Sequence, residues 1–62
     1  MEWKDWNGKK VFIRTKHGSV FNGVVKGVNT DDKPIIFISL IDKFGKPIML
    51  VSSEIVQIKE EE

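Results

Sequence analysis

The chain has 62 residues, no cysteine, one histidine and a formal net charge of +1 at pH 7. A domain this small buries only about 60% of its unfolded surface, so it gains from disulfides, metals or partner copies. Without cysteine, disulfides and cysteine-ligated zinc are excluded, and one histidine cannot build a histidine metal site. We therefore expect no cofactor, and we expect oligomerisation to supply the missing stability.

Charge and hydropathy narrow the class of protein further. The net charge is too small for a protein that coats duplex DNA. No apolar run approaches the roughly 18 residues of a membrane span, and the polar stretch from Met1 to Trp6 does not read as a signal peptide. We expect a cytoplasmic protein without a membrane partner. Residues 1–28 carry a charge of +4 and residues 29–62 carry −3, which indicates either ordinary solvated surface or a basic face opposite an acidic fringe.

The N-terminal segment predicts one short helical turn from Glu2 to Trp6, ended by Asn7-Gly8. Trp3 and Trp6 are three residues apart and would share a face. A single turn is not stable alone in water, so it must dock through these two indoles. Core filling is the main interpretation of both tryptophans, and base stacking is the alternative.

The next stretch predicts two strands and a tight turn: Val11 to Thr15, His17-Gly18, and Ser19 to Asn29. Strand interiors disfavour glycine, so Gly23 and Gly27 indicate a strand that bends sharply. The alternation of apolar residues assigns the core-facing side chains. They are Val11, Ile13, Thr15, Phe21, Gly23 and Val25.

The rest of the chain predicts three more strands. The nearly continuous apolar run from Ile35 to Ile41 is typical of a strand buried on both faces. Shorter strands follow from Ile48 to Val51 and from Glu54 to Lys59, with loops between them. We expect one domain over residues 1–62, with a helix and turn at 1–8, a barrel at 9–59 and an acidic tail at 60–62. The predicted fold is all-β, a small, five-stranded, strongly bent antiparallel barrel of Sm-like or SH3-like type.

Several segments resemble the Sm and Sm-like family, which includes the archaeal Sm-like proteins and the bacterial protein Hfq. Lys10-Val11-Phe12-Ile13-Arg14 resembles its first strand, followed by the His17-Gly18 turn. The run from Phe21 to Asn29 is similar to the family's aromatic-x-Gly-x-hydrophobic pattern, and Ser53 to Ile58 resembles its closing strand. The resemblance implies a short N-terminal helix on a five-stranded bent barrel.

The same resemblance implies a homo-oligomeric ring. Family members form rings of seven or six subunits, in which the fourth strand of one subunit pairs with the fifth strand of the next. Seven is our expectation here and six is the alternative. The implied interface residues lie in the last two strands. They are Ile48, Met49, Leu50, Val51, Ile55, Val56 and Ile58.

The family binds single-stranded, usually uridine-rich, RNA through two loops. The resemblance assigns Asn29, Asp31 and Lys33 to the loop after the second strand, and Ser52 and Ser53 to the loop before the last strand. Asp31 stands where the family has a base-stacking residue, and no arginine is present in the second loop. The alternative for the first loop is a solvated turn, and the alternative for Ser52-Ser53 is a tight turn that caps backbone groups.

The outer face of the first strand offers a second set of RNA contacts. Phe12, Arg14 and Lys16 combine one aromatic ring with two cations, as single-strand binders require. Surface packing or packing between subunits is the alternative role for them.

Three functions remain open from the sequence. The first is a ring-forming Sm-like protein that binds RNA, and the second is a similar ring that binds protein partners without the uridine pocket. The third is a monomeric SH3-like module that binds nucleic acid or protein. An enzyme is not expected, because the chain has no cysteine, no Ser-His-acid set around His17 and no glycine-rich phosphate loop.

Overall fold

The chain folds into a short 3₁₀ helix, five strands and a second 3₁₀ turn, in a computed structural model that describes residues 2–31 and 34–61. The predicted helical turn and the five strands are confirmed. The N-terminal 3₁₀ helix is Trp3–Trp6, and the second, between the last two strands, is Ser52–Glu54. The strands are β1 (Lys10–Thr15), β2 (Val20–Asn29), β3 (Phe37–Asp42), β4 (Pro47–Val51) and β5 (Ile55–Glu60).

The five strands form one antiparallel sheet in the order β4-β3-β2-β1-β5. Strands β4 and β5 are therefore its two edges, and they do not pair with each other. The predicted barrel needs correction on this point: the strand number and direction were right, but the sheet is not closed. The connection from β4 to β5 is the three-residue second 3₁₀ helix, which leads the chain from one edge to the other.

That short connection shows that the sheet is bent. Val51 ends β4 and Ile55 begins β5, so about four residue steps, or roughly 14 Å of extended chain, join the two edges. A flat sheet of five strands would separate its edges by roughly 19 Å. The edges can be joined only if the sheet curls, which brings β4 and β5 towards each other around the core.

Strand β2 lies at the centre of the sheet and contains the bulge at which the sheet bends. Its first half pairs with β1 and its second half with β3, and the register shifts between Val25 and Gly27. Lys26 is the extra residue of this bulge, which bends the strand. Gly23 lies where the strands approach closely: a Cβ there would overlap the Ile41 carbonyl oxygen and lie 2.8 Å from Leu40 Cδ1. Gly23 is thus required by contact, whereas a Cβ on Gly27 would meet no atom within 4 Å.

The core lies on the concave face and takes side chains from four strands. Its buried apolar members are Val11, Ile13, Val25, Ile38, Leu40 and Leu50, and Thr15 is buried beside them. The alternation predicted for the first two strands is confirmed, with Phe21 half-buried. The predicted third strand was too long at its start: Ile35 precedes β3 and is 48% exposed. Only Ile38 and Leu40 of β3 are fully buried.

The N-terminal helix docks on β2, as expected. Trp3 and Trp6 are half-buried and pack against the core. The chain then runs alongside β2, where the Gly8 N–H donates to the Val25 carbonyl at 2.8 Å and the Val25 N–H donates to the Lys9 carbonyl at 2.9 Å. Among the described residues, no helix has the length and hydropathy needed to cross a membrane.

Candidate nucleic-acid interface

The two loops assigned to RNA lie at the same end of the sheet. Asn29 of β2 pairs with Phe37 of β3, and Phe37 pairs with Val51 of β4, so the three residues form one row across the sheet. The Ser52 N–H, just after β4, donates to the Ile36 carbonyl, just before β3, at 2.9 Å. The loop after β2 and the turn after β4 therefore leave the sheet from neighbouring positions.

The loop after β2 is organised by the side chain of Asn29. Its Oδ1 accepts a hydrogen bond from the Asp31 N–H at 2.8 Å, which is an Asx turn. This bond uses one lone pair of the carboxamide oxygen, and the Nδ2 amino group of Asn29 can still donate hydrogen bonds. Asp31 is exposed at the head of the turn, and Lys33, the third residue predicted for this loop, lies outside the described residues.

Ser52 and Ser53 form the second 3₁₀ helix together with Glu54. Ser52 is half-buried and Ser53 is exposed. The Ser52 carbonyl accepts from the Ile55 N–H, so the backbone of the turn is held in place by bonds on both sides. The hydroxyl of Ser53 is the more accessible of the two.

The outer-face residues are spread along β1 and beyond its end. Phe12 is half-buried opposite Lys59 of β5, whose Nζ lies 5.3 Å from the centre of the Phe12 ring. Arg14 is exposed between β2 and β5. Lys16 is exposed, and its N–H donates to the Glu54 carbonyl at 2.9 Å. Lys16 thus lies beside the second 3₁₀ helix, whereas Phe12 lies further along β1.

The residues predicted for the subunit interface fall into two groups. Leu50 is buried in the chain's own core, and Ile48, Ile55 and Ile58 pack against that core. Met49 is 66% exposed on β4 and Val56 is 58% exposed on β5, while Val51 is half-buried. Of the residues predicted for the interface, only Met49 and Val56 are therefore mostly exposed to solvent. The interface assignment stays a prediction.

The hairpin between β3 and β4 lies in a segment for which the sequence predicts only a loop. Phe44, at its tip, is 80% exposed, the highest value among the exposed large apolar residues described. Asp42 Oδ1 accepts hydrogen bonds from the Phe44 N–H at 2.9 Å and from the Lys46 N–H at 2.8 Å. The signal in the sequence was an aromatic residue between lysines inside a turn.

A groove of about 510 Å³ opens on the outer face beside this hairpin. Its floor includes Val24 and Ile41, and Lys10 and Lys43 line it together with Asn22. The Asn22 Nδ2 group donates to Glu61 Oε1 at 2.7 Å. The groove thus combines two apolar side chains, an amide and two lysine side chains with two carboxylates, those of Asp42 and Glu61.

Comparison with protein-family models, with curated proteins and with solved structures gives no match for this chain. Within residues 2–31 and 34–61, no three metal-ligating side chains are grouped as a metal site would require.

Proposed function

We propose that this chain is a ring-forming Sm-like protein that binds single-stranded RNA. The observation that carries the proposal is that β4 and β5, at the two ends of one curled sheet, each have one edge without a partner strand. An exposed strand edge presents a row of N–H and C=O groups that another chain can pair with. When each subunit pairs its β4 with the β5 of the next, rotation around an axis closes a ring and no edge remains.

The side chains on the two edge strands support pairing between copies. Met49 and Val56 are 66% and 58% exposed, and one lies on each edge strand. Strand addition would cover them together with the backbone edge. The edge strands have five and six residues, so each junction would supply only a few ladder hydrogen bonds, and burial of these side chains would add to them.

The arrangement of the loops supports RNA as the ligand. In a ring, the end of the sheet that holds Asn29 and Ser52 would be repeated once per subunit around the axis. Each copy would offer the Asn29 amino group and the Ser53 hydroxyl, which are hydrogen-bond partners for bases and phosphates. Weak single contacts gain strength when several are linked along one strand of RNA.

A second candidate is favoured by the chemistry of the same loops. Single-strand binders usually supply an aromatic or guanidinium plane for each base. Among the described residues of these loops, Asn29, Thr30, Asp31, Ser52 and Ser53 supply none, and the Asp31 carboxylate repels phosphate. This supports a ring that binds a protein partner and leaves RNA unbound.

Assembly is tested by the double variant Met49→Lys/Val56→Lys. Two charges on the edge strands should disrupt strand addition, because an incoming strand would have to desolvate them. Val20→Lys is the matched control, since Val20 is a β-branched strand residue of similar exposure, 50%, on an interior strand. We expect the double variant to be monomeric by native mass spectrometry and the control to keep the ring. If the double variant still forms a ring, these two strand edges are not the subunit interface.

RNA binding is tested by fluorescence anisotropy with a labelled single-stranded uridine decamer over a series of salt concentrations. Phosphate contacts release counterions, so the logarithm of the affinity should fall linearly with that of the salt, by about 0.7 per phosphate. A poly-adenosine decamer tests base preference. An intact ring without measurable affinity for either RNA at low salt would leave the protein-binding scaffold as the function.

A further inference from the structure

We propose that the tip of the β3–β4 hairpin and the groove beside it form a second contact surface for single-stranded nucleic acid. In this proposal Phe44 stacks on a base, and Lys43 and Lys46 contact the phosphates on either side. The proposal rests on the proposed RNA-binding function. It concerns a different place, because Asp42 pairs with Gly23 near one end of β3, whereas Phe37 pairs with Asn29 at the other.

Four hydrogen bonds brace the hairpin tip. Asp42 Oδ1 accepts from the N–H groups of both Phe44 and Lys46. The Asp42 N–H donates to the Lys46 carbonyl, and the Gly45 N–H donates to the Asp42 carbonyl, both at 3.0 Å. Gly45 has φ of 82°, a left-handed conformation that glycine adopts without steric cost. A loop fixed in this way loses little entropy on binding.

The fixed loop presents an aromatic ring with cations around it. Phe44 is 80% exposed, and the Lys43 Nζ lies 5.3 Å from the centre of its ring. The tip is cationic, because its two lysines flank the ring while the carboxylate of Asp42 is turned to the loop backbone. An aromatic face for a base and lysines for phosphates is the combination that sequence-tolerant single-strand binders use.

The groove extends this surface along the sheet. A shallow depression of about 180 Å³ between Phe44 and Val20 shares Asn22, Asp42 and Lys43 with the larger groove. The larger groove, about 510 Å³, continues to Lys10 and is of the size that holds a small organic ligand. A strand crossing Phe44 would place its next nucleotide over Val24 and Ile41. Glu61, which holds the Asn22 amide at 2.7 Å, would be displaced from it.

The same features disfavour a membrane surface. The hairpin tip has one apolar side chain, Phe44, with Lys43 before it and Gly45 and Lys46 after it. Insertion into lipid depends on the apolar area buried, and one ring offers little. The groove is lined by an amide, two lysines and two carboxylates, and this polar lining suits a nucleotide better than a lipid chain.

The test compares Phe44→Leu with Phe44→Tyr. Leucine keeps an apolar side chain of similar bulk without the aromatic ring, whereas tyrosine keeps the aromatic ring. Affinity for the labelled uridine decamer should fall roughly 5- to 100-fold in Phe44→Leu, the loss expected for one stacked base, and change little in Phe44→Tyr. Lys43→Glu/Lys46→Glu should weaken binding and reduce the slope against salt. Circular dichroism and native mass spectrometry show whether each variant keeps its fold and its assembly.

The outcomes separate this inference from the function on which it rests. If wild type and Phe44→Leu bind RNA with equal affinity, the hairpin site is wrong and the proposed RNA-binding function is unaffected. Wild type that binds no RNA at low salt overturns both. If Phe44→Leu no longer assembles into the oligomeric ring, Phe44 is an interface residue and the proposal is wrong. The proposal also fails if Phe44→Leu abolishes sedimentation with phosphatidylserine vesicles while RNA affinity is unchanged.

Discussion

The close approach at Gly23 gives a quantitative test of the fold. In Gly23→Ala, the added Cβ would overlap the carbonyl oxygen of Ile41 and lie 2.8 Å from Leu40 Cδ1. The oxygen belongs to the backbone of the neighbouring strand, so it cannot move away without disturbing the β2–β3 ladder. Inserting a methyl group into a tightly packed site costs about 1–3 kcal/mol. A chain of this length has roughly 3–9 kcal/mol of stability in all, so the variant loses a large share.

Gly27→Ala is the matched control on the same strand. Its added Cβ would meet nothing within 4 Å, and Gly27 does not have a positive φ. Alanine should be neutral there or stabilise by about 0.5–1 kcal/mol, because it loses less entropy on folding. The assay is thermal unfolding by circular dichroism at one protein concentration for all variants, since assembly makes Tm depend on concentration.

We expect Gly23→Ala to lower Tm by roughly 5–20 °C and Gly27→Ala to leave it unchanged or raise it slightly. Native mass spectrometry of each variant shows whether a change in Tm reflects assembly instead of the fold. Equal loss in the two variants would contradict the reasoning, because it would mean that the bend in β2 needs glycine at both positions. A neutral Gly23→Ala would mean that β2 and β3 do not approach as described.

Two further predictions concern the loops at opposite ends of β3. Asp31→Lys should raise the affinity for single-stranded RNA, because it replaces a repelling carboxylate by a phosphate contact. The slope of log affinity against log salt should steepen by up to about 0.7. An unchanged slope, measured by anisotropy, would place the RNA away from this loop. Asp42→Ala should destabilise the chain by about 1–2 kcal/mol in urea unfolding, because two backbone N–H groups lose their acceptor. Asp42→Asn keeps an acceptor oxygen and should lose less, and equal loss in the two variants would count against the role of the hydrogen bonds.

The local elements were predictable because their signals are local. The alternation from Val11 to Thr15 identifies a strand with one buried face, and the structure buries Val11, Ile13 and Thr15. The run from Ile35 to Ile41 has no alternation, so the sequence could not show where β3 begins. The structure starts the strand at Phe37, where pairing with Asn29 and Val51 begins.

The parts that the sequence did not predict depend on contacts between distant residues. Whether a bent sheet closes depends on pairing between its first and last members, and here the three-residue turn at Ser52–Glu54 joins two unpaired edges. The role of Gly23 could be inferred from its place in a strand, but Gly27 looks the same in sequence and has open space around it. Phe44 was read only as part of a turn, because exposure of an aromatic ring is set by how the hairpin leaves the sheet.

The central claim is assembly through the two edge strands, and native mass spectrometry of the wild-type protein tests it most directly. One chain has a mass of 7.1 kDa. A closed ring predicts a single species at about 50 kDa for seven copies or about 43 kDa for six, shifted upward by the mass of a short uridine-rich RNA when that RNA is added. A species that stays at 7.1 kDa at micromolar concentration would contradict the account, because β4 and β5 would then remain as open edges.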